Sequence, residues 1–455
     1  MKHYYFYKLL TFCLINSEVF FLKDWDDEII MFKVLISSVG NNDPQGRNQS
    51  DGPVLTAVKE LNPNVIYLFP TRKQVDPTYT WTEDNSEALI RQLQENYPEL
   101  MICKRPLNLP DPTDYRSIIQ QLTDEIDEIK NQYSKSETEY YISVSSGTPQ
   151  IQAAFLVLVS SNRIKAKTYQ VINPQFIKNE QSRLREVDTH FLEESNQIRR
   201  AKEYFSCINF DASANEMCGL ACYTIYPKRE KIAETFLDLI KGYFHWDLYQ
   251  HWEAKDCLEK SYEHIQRYGF VDLSNKLESQ LKILDQIIKI GEVEDYINLA
   301  DLYHNAHRRY LCKQYIDCLS RFKRIYEGVF YYIAHHELGI NAKSNIEYQP
   351  EEVKKEIKKK RGFLNTYDIS KLYEGRKNQK IIPETLENKL NEFSKQRNNT
   401  INNHGMNSVE AEQAKKALDL AAELLRIVFP DNDLSGYPFS KEALTELENL
   451  IFSNL

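Results

Sequence analysis

The feature that most constrains the fold is a regular alternation of short β-branched runs and helical stretches that begins near residue 31. The runs KVLISSVG, VIYLF and YYISVSS are bounded by polar or turn-forming residues, as strands usually are. Alternating strands and helices predict a parallel sheet with helices on both faces. The predicted strands lie at residues 33–40, 65–69, 100–104, 140–146 and 166–174, and the predicted helices at 53–61, 82–96, 113–131 and 149–161.

The second half of the chain has a different pattern, because strand signals nearly vanish after residue 180 and aromatic-rich helical patterns follow. A chain of 455 residues also exceeds what one hydrophobic core usually organises. We therefore predict an α/β domain followed by an all-α region, with a break in that region near Gly291. The predicted segments are an N-terminal extension at 1–30, an α/β domain at 31–180, a helical connector at 181–292 and a helical domain at 293–455.

Two loops of the α/β domain are candidates for ligand binding. In open parallel sheets ligands bind outside the carboxyl ends of the strands, where the loops after the first and fourth predicted strands lie. Both loops are small and polar, and each contains a glycine that lets the backbone approach a ligand. Neither loop matches a dinucleotide-binding or Walker pattern, which argues against NAD binding and ATP hydrolysis. The candidate ligand-binding residues are Ser38, Gly40, Asn41, Asn42, Asp43, Ser146, Gly147, Thr148, Pro149 and Gln150.

The second of these loops also has a predictable local conformation. Gly147 permits a sharp turn, Thr148 suits the N-cap of a helix, and Pro149 suits the first helical position. Free backbone N–H groups at such a helix start favour a phosphate group or an adenine edge. The alternative is that Thr148 and Pro149 only begin a helix.

Near the C terminus, Arg397 and His404 lie seven residues apart in a predicted helical region. A guanidinium can hold a phosphate group and an imidazole can move a proton near neutral pH, so the pair suffices to cleave RNA without a metal ion. The spacing has little weight alone, because Arg185 and His190 form a similar pair. We assign that second pair a structural role, since it lies where the α/β domain ends.

Composition narrows the classes of function. No apolar run is long enough to cross a bilayer, which predicts no membrane association. The eight cysteines form no CxxC pair and have no histidines at zinc spacing, so we expect no metal site and a cytoplasmic location. The net charge of -9 argues against a protein coated with nucleic acid, yet residues 354–380 carry ten basic and three acidic side chains. That basic stripe is either a local site for nucleic acid or a solvated helix face.

Three stretches, VLISSVGNNDP, VSSGTPQ and RNNTINNHG, resemble in this order the CRISPR-associated type III (III-A type) accessory ribonucleases. In that family an N-terminal CARF domain senses a cyclic oligoadenylate, and a C-terminal HEPN domain cuts RNA. The resemblance implies a Rossmann-like CARF domain at 31–180 and an α-helical HEPN domain at 293–455. The family's HEPN motif is an arginine, usually followed by a polar residue, and then a histidine. Arg397, Asn398 and His404 match it with its longest spacing, which makes them the catalytic candidates.

The resemblance implies a metal-independent endoribonuclease that needs no cofactor and leaves 2′,3′-cyclic phosphate ends on single-stranded RNA. The activator would be a cyclic oligoadenylate, hexa-adenylate rather than tetra-adenylate, and the CARF domain could cleave it slowly. The protein would be a homodimer without stable DNA binding, and DNA lacks the attacking 2′-hydroxyl. Glu327 is expected to orient Arg397, unless it is a surface charge.

Two other functions remain open. The chain could be a non-catalytic CARF-type sensor or regulator with a helical interaction module, although no convincing helix-turn-helix with a basic recognition helix is evident. It could also be a HEPN toxin controlled by an antitoxin. Nuclease activity that depends on a cyclic nucleotide distinguishes these possibilities.

Overall fold

The computed structural model describes residues 31–46, 50–73, 81–134, 137–177, 181–291, 294–358, 362–398 and 407–455, apart from the side chains of Ser394, Gln396, Arg397 and Asn398. The chain forms two compact units, which divide between Thr189 and His190. None of the described helices combines the length and the apolar character that crossing a bilayer requires.

The first unit is built on a six-stranded sheet in the order β3-β2-β1-β4-β5-β6. The first five strands are parallel, and β6 runs antiparallel to β5. The five predicted strands are all present, whereas β6 was not predicted. The strands are β1 (Phe32–Ser38), β2 (Val65–Phe69), β3 (Met101–Lys104), β4 (Thr138–Ser143), β5 (Ala166–Val171) and β6 (Leu184–Val187).

Helices cover both faces of this sheet, as the alternating pattern predicts. Successive side chains of a strand point to opposite faces, so Val34 and Ile36 of β1 belong to one hydrophobic cluster and Leu35 to another. Helices α3 and α4 pack in the first cluster, and α1 and α2 in the second. The four helices are α1 (Pro53–Leu61), α2 (Glu83–Asn96), α3 (Tyr115–Gln132) and α4 (Pro149–Ser160).

The strand order places a crevice between β1 and β4. Strands β2 and β3 lie on one side of β1, and β4 and β5 lie on the other, so the direction of the crossovers reverses between β1 and β4. Ligands of open α/β sheets bind at such a reversal, outside the carboxyl ends of the two strands. The loops that leave β1 and β4 are the two loops that carry the candidate ligand-binding residues.

The second unit is built of helices around one continuous hydrophobic cluster that extends from Ala201 to Phe452. Its two ends meet, because the rings of Phe205 and Phe452 lie 6.0 Å apart. The helices are α5 (Glu194–Ser206), α6 (Phe210–Tyr223), α7 (Pro227–Asp247), α8 (His251–Tyr268), α9 (Val271–Ile290), α10 (Tyr296–Leu311), α11 (Tyr315–His336), α12 (Glu351–Ile357), α13 (Thr366–Lys377), α14 (Glu384–Asn398), α15 (Ala411–Val428) and α16 (Lys441–Phe452).

The predicted break near Gly291 coincides with the end of a helix. Helix α9 ends at Ile290, and Gly291 caps it with a φ of 67°, a left-handed conformation that favours glycine. The hydrophobic cluster nevertheless includes residues on both sides of this point, such as Ile287 and Leu299. The boundary between connector and C-terminal domain therefore stays a prediction.

Candidate functional site

Asp43 joins the two candidate loops. Its side chain is buried, and its carboxylate accepts hydrogen bonds from the Oγ of Ser146 at 2.7 Å and from the backbone N–H groups of Gly40 at 3.0 Å and Val54 at 3.1 Å. Ser146 belongs to the loop after β4, whereas Gly40 belongs to the loop after β1. The carboxylate thus connects both loops to the start of α1.

The backbones of the two loops approach each other so closely that only glycine fits at two positions. A Cβ atom on Gly40 would lie 2.8 Å from the backbone nitrogen of Gly147, and one on Gly147 would lie 2.6 Å from the Oγ of Ser38. Gly147 also has a φ of 84°. The hydroxyl of Ser38 donates a hydrogen bond to the carbonyl oxygen of Ser146, which closes the contact.

Burial governs the electrostatics of Asp43. It raises the pKa of the carboxyl group above its ordinary value, while the hydrogen bonds from Gly40, Ser146 and Val54 act in the opposite direction. All these donors belong to the protein, so the carboxylate makes its hydrogen bonds to neighbouring residues of the same chain. Asp43 is therefore a residue that positions the loops, and it exposes too little surface to be a main ligand contact.

The remaining candidates are at least partly accessible at the two loops, except Ser38, Gly40 and Ser146, which are buried. Asn41, Asn42 and Pro149 are exposed, and Thr148 and Gln150 are half-buried. Thr148 is the N-cap of α4, as predicted: its Oγ1 accepts from the N–H of Ile151 at 3.3 Å. The same hydroxyl donates to the carbonyl oxygen of Pro112 at 3.2 Å, so it also fixes a third loop beside the crevice.

Asn85 is a positioning residue that the sequence did not reveal. It lies in α2, and its Nδ2 donates a hydrogen bond of 3.1 Å to the carbonyl oxygen of Gly40. Nothing in the sequence around this half-buried asparagine predicts the contact, because it depends on how α2 packs beside the sheet. Asn85 and Asp43 thus hold the turn at Gly40 from two sides.

The catalytic candidates fall largely outside the described part of the chain. Helix α14 ends at Asn398, so the backbones of Arg397 and Asn398 form its last turn. Their side chains, and His404 as a whole, lie outside the described residues. In the second Arg–His pair of the sequence, Arg185 lies in β6. The ring of its partner His190 stacks on Tyr223, with the ring centroids 4.1 Å apart.

The packing of α14 is defined up to the turn before Arg397. The hydroxyl of Tyr326 on α11 donates to the Oδ1 of Asn391 at 3.0 Å, and the rings of Phe322 and Phe393 lie 6.1 Å apart. Glu327, the residue expected to orient Arg397, forms an ion pair of 3.2 Å with Lys323 one turn earlier on α11. Its role toward Arg397 stays a prediction.

A buried cluster of charges, which the sequence did not reveal, stabilises the helical unit. Asp247 at the end of α7 accepts hydrogen bonds from the Nε of Arg308 at 2.8 Å and the Nδ2 of Asn305 at 3.0 Å, and it pairs with Arg309. Arg308 also donates to the carbonyl oxygen of Phe439 at 2.7 Å. Burial lowers the pKa of Arg308, and the nearby carboxylate of Asp301 opposes this shift. The cluster connects α7, α10 and the segment before α16.

The cluster is not a metal centre by its chemistry, since guanidinium groups repel cations. Within the described ranges, no group of three or more histidine, cysteine, aspartate or glutamate side chains is arranged to hold a metal ion. The candidate residues thus lie in two places. One is the pair of joined loops at the carboxyl ends of β1 and β4, and the other is the last turn of α14, which includes Arg397 and Asn398.

Comparison with known proteins finds partial matches to one family of CRISPR-associated ribonucleases. The family described as the Csm6 6H domain matches residues 194–290, which lie within the predicted connector. "CRISPR system endoribonuclease Csm6'" from Streptococcus thermophilus is 30% identical over 149 residues. This chain is similar to proteins of the Csm6 family. The family described as the regulator of RNA terminal phosphate cyclase also matches, over residues 77–203.

The alignments with Csm6 relatives are partial. The match to the S. thermophilus protein covers 32% of this chain and 36% of that protein. A Csm6 endoribonuclease from Enterococcus italicus is 25% identical over 164 residues, which are 34% of this chain and 36% of that protein. The aligned segments thus span about a third of the relatives' length.

A solved Csm6 structure extends the likeness of fold to nearly the whole chain. The structure described as "Enterococcus italicus Csm6 bound to cyclic hexa-2'-fluoro-hexa-dAMP" superposes with a TM-score of 0.59 at 16% identity, covering 93% of this chain and 100% of that one. The predicted fold class, a Rossmann-like CARF domain followed by helices and an α-helical HEPN domain, is confirmed.

Proposed function

We propose that this chain is an endoribonuclease of type III CRISPR antiviral defence that cuts single-stranded RNA when a cyclic oligoadenylate binds its CARF domain. The observation that carries the proposal is the end of α14, where Arg397 and Asn398 form the last helical turn of a chain similar to Csm6 proteins. His404 follows in the sequence and completes the Arg-Asn-x5-His motif. The relatives named above as CRISPR system endoribonucleases support the activity.

The chemistry requires only side chains and the RNA itself. The ribose 2′-hydroxyl attacks the adjacent phosphorus while a base removes its proton, and the bond to the 5′-oxygen breaks. The leaving 5′-oxygen takes up a proton, which leaves a 2′,3′-cyclic phosphate and a 5′-hydroxyl. His404 acts as the general base or acid, a role that typically contributes 10²- to 10⁴-fold. Arg397 stabilises the charge that develops on the phosphate oxygens, and Asn398 assists in binding the substrate.

The activator binds in the crevice between β1 and β4. A cyclic oligoadenylate offers phosphates and adenine edges, which suit the exposed amides of Asn41 and Asn42 and the start of α4 at Thr148 and Pro149. The solved relative bound to a cyclic hexanucleotide supports hexa-adenylate rather than tetra-adenylate as the activator. The same crevice slowly cleaves the activator, which limits the response.

Activation is allosteric and takes place in a homodimer in the cytoplasm. A ligand shifts a conformational equilibrium only by as much as it prefers one state, so the activator must bind the active arrangement of the CARF pair more tightly. A twofold axis brings two copies of Arg397 and His404 around one substrate phosphate. The active site would then be complete only in the dimer.

Cleavage of a fluorophore-quencher single-stranded RNA tests the proposal. The assay is run in EDTA with cyclic hexa-adenylate, cyclic tetra-adenylate or no activator. It compares the intact chain with His404→Ala. The matched control is His190→Ala, because Arg185 and His190 form the second Arg–His pair of the sequence. We expect cleavage with cyclic hexa-adenylate that is lost in His404→Ala and retained in His190→Ala.

Other outcomes separate the alternatives. Cleavage that needs no activator points to a toxin-type HEPN ribonuclease and contradicts the regulatory part of the proposal. Binding of cyclic oligoadenylate without any cleavage points to a non-catalytic sensor. Cleavage that disappears in EDTA and returns with Mg²⁺ contradicts metal independence.

A further inference from the structure

Three large aromatic side chains of the helical unit are exposed within a short part of the chain. Tyr348 is 82% exposed, Phe363 is 60% exposed and Tyr367 is 68% exposed. Single exposed aromatic residues are normal on protein surfaces. Three of them in twenty residues of sequence are less easily explained by chance, because each leaves apolar ring surface in water.

Backbone contacts bring these residues to one region of the surface. The N–H of Ile346 donates to the carbonyl oxygen of Gly362 at 2.7 Å, and Asn345 pairs with Phe363 in an antiparallel bridge. Tyr348 follows within the same turn, since its N–H donates to the carbonyl oxygen of Asn345 at 2.9 Å. Tyr367 lies in the first turn of α13, directly after the strand-like contact of Phe363.

Lysine side chains accompany the aromatic residues. Lys371 lies four residues after Tyr367 on α13, so both occupy one exposed face of that helix. Lys355 and Lys358 are exposed on α12 and at its C-cap, and α12 packs against α13. Among the described residues of this region, the ion pairs belong to other cations, namely Lys354 with Glu351 and Arg376 with Glu356.

Two of the neighbouring acidic residues are engaged with other cations. Glu351 forms an ion pair of 2.8 Å with Lys354, and Glu356 forms a two-bond pair with Arg376 at 3.2 and 3.0 Å. The second pair fixes α12 to α13. Glu352 and Glu374 remain exposed, and the sequence adds Lys359, Lys360 and Arg361, which lie outside the described residues.

We infer that Tyr348, Phe363, Tyr367, Lys355, Lys358 and Lys371 form a platform that binds single-stranded RNA outside the catalytic motif. Exposed aromatic rings stack with bases of any sequence, and nearby lysines bind the phosphates between them. A solvated helix face explains the lysines but does not explain why the rings of Tyr348 and Tyr367 are exposed beside them. The inference rests on the proposed action on RNA and specifies where the substrate is held.

The platform lies near the helix that carries Arg397. The side chain of Thr366, next to Tyr367, contacts the phenol of Tyr326, and that phenol donates to Asn391 on α14. Asn391 precedes Arg397 by six residues, about 9 Å along a helix axis. A single strand stacked on the platform is thus within a few nucleotides of the proposed site of cleavage.

Binding to a strand that cannot be cleaved tests the platform directly. We would measure fluorescence anisotropy of a labelled single-stranded oligodeoxynucleotide with the full chain, and of the same sequence in RNA with His404→Ala as background. Stacking does not require the 2′-hydroxyl, so the platform predicts that both probes bind, in contrast to the expectation from the family resemblance that DNA is not bound stably. The double variant Tyr348→Ala/Tyr367→Ala should weaken the affinity at least tenfold, since each stacked ring contributes about fivefold or more.

Salt dependence separates the two kinds of contact. The variant Lys355→Ala/Lys371→Ala should lower the slope of log affinity against log salt by about 0.7 for each lysine, whereas the tyrosine variant should leave it unchanged. Trp252→Ala and Lys228→Ala serve as matched controls, because both residues are exposed on other helices of the unit. Melting temperatures establish that every variant is folded.

The outcomes distinguish this inference from the proposed function. If the chain binds both probes through the platform but cleaves no RNA, the platform stands and the nuclease proposal fails. If the chain cleaves RNA and the tyrosine variant binds and cleaves as the intact chain does, the platform is wrong. An equal loss in Trp252→Ala, or no binding of either probe, also overturns it. In an active enzyme the tyrosine variant should raise KM and leave kcat unchanged.

Discussion

The hydroxyl of Ser146 donates a hydrogen bond of 2.7 Å to the carboxylate of Asp43, although the two residues lie 103 positions apart in the chain. This bond joins the loops that leave β1 and β4, at the point where the strand order reverses. The shape of the crevice therefore depends on a contact inside the protein. Residues that bind the activator and residues that only shape the crevice should respond differently to substitution.

Asp43→Ala should destabilise the CARF domain, because three buried donors lose their acceptor. An unsatisfied buried donor costs about 1–3 kcal/mol, so the three donors together should cost roughly 3 kcal/mol or more. Urea unfolding measures the loss, and hydrogen exchange at Gly40 and Val54 should accelerate. Unchanged exchange at these two amides would show that Asp43 does not hold the loops.

Asn42→Ala is the matched test of a ligand contact, because Asn42 is exposed in the same loop. Its free energy of unfolding should stay within about 0.5 kcal/mol of the intact chain. Binding of cyclic hexa-adenylate, measured by calorimetry, should weaken severalfold. Equal affinity in the variant and the intact chain would remove Asn42 from the activator site.

The sheet was predictable where burial is continuous. Strand β2 was predicted at its observed bounds, because all five residues are apolar and buried. Strand β6 was missed since it lies at the sheet edge, and its four residues include no buried position and no apolar run. An edge strand forms because it pairs with its neighbour in the sheet, and such pairing cannot be read from the local sequence of apolar and polar residues.

The crevice between β1 and β4 was predictable in position, but the roles of its residues were not. A topological rule placed ligand binding in the two loops, and Thr148 and Pro149 began the helix as predicted. The burial of Asp43 could not be predicted, because it depends on a serine in a distant loop. Sharp turns without glycine, such as that at Tyr249 with a φ of 63°, likewise depend on packing.

Arg397→Lys should lower the rate of RNA cleavage about a hundredfold or more, even though the charge is kept. Lysine cannot donate two parallel hydrogen bonds to a phosphate, and removing one donor to a developing oxyanion typically costs 10²- to 10³-fold. Single-turnover cleavage with saturating activator isolates this step from substrate binding. Asn398→Ala should have a smaller effect, and a rate for Arg397→Lys equal to that of the intact chain would exclude bidentate phosphate binding.

Asp247→Asn should destabilise the helical unit strongly, because it leaves Arg308 charged and buried without its carboxylate. Breaking a buried ion pair from one side costs about 3–5 kcal/mol. Asp256→Asn is the control, since Asp256 forms an exposed pair with Lys260 that should contribute about 1 kcal/mol or less. Urea unfolding followed by circular dichroism compares the two variants. Similar losses in both would mean that the buried cluster does not stabilise the fold.

Stability of the helical unit should fall as the pH drops from 7 toward 4, in part because of His304. Its imidazole is buried, stacks on Tyr437 and contacts the carbonyl oxygen of Leu434 through Nε2 at 2.9 Å. Burial, and secondarily the charge of Arg308, lowers the pKa of His304 to about 4. The unfolded chain takes up this proton near pH 6.5 and the folded chain does not.

The stability that the neutral imidazole of His304 provides is therefore fully present above pH 6.5. It is lost as the pH falls through 6.5 toward 4, and the loss amounts to about 2 kcal/mol at pH 5. His304→Gln keeps a donor for Leu434 but cannot titrate, so the difference in unfolding free energy between pH 7 and pH 5 should shrink by that amount. His335→Gln, at an exposed position, should leave the difference as it is in the intact chain. If His304→Gln and His335→Gln behave alike, the acid sensitivity of the unit arises from other groups.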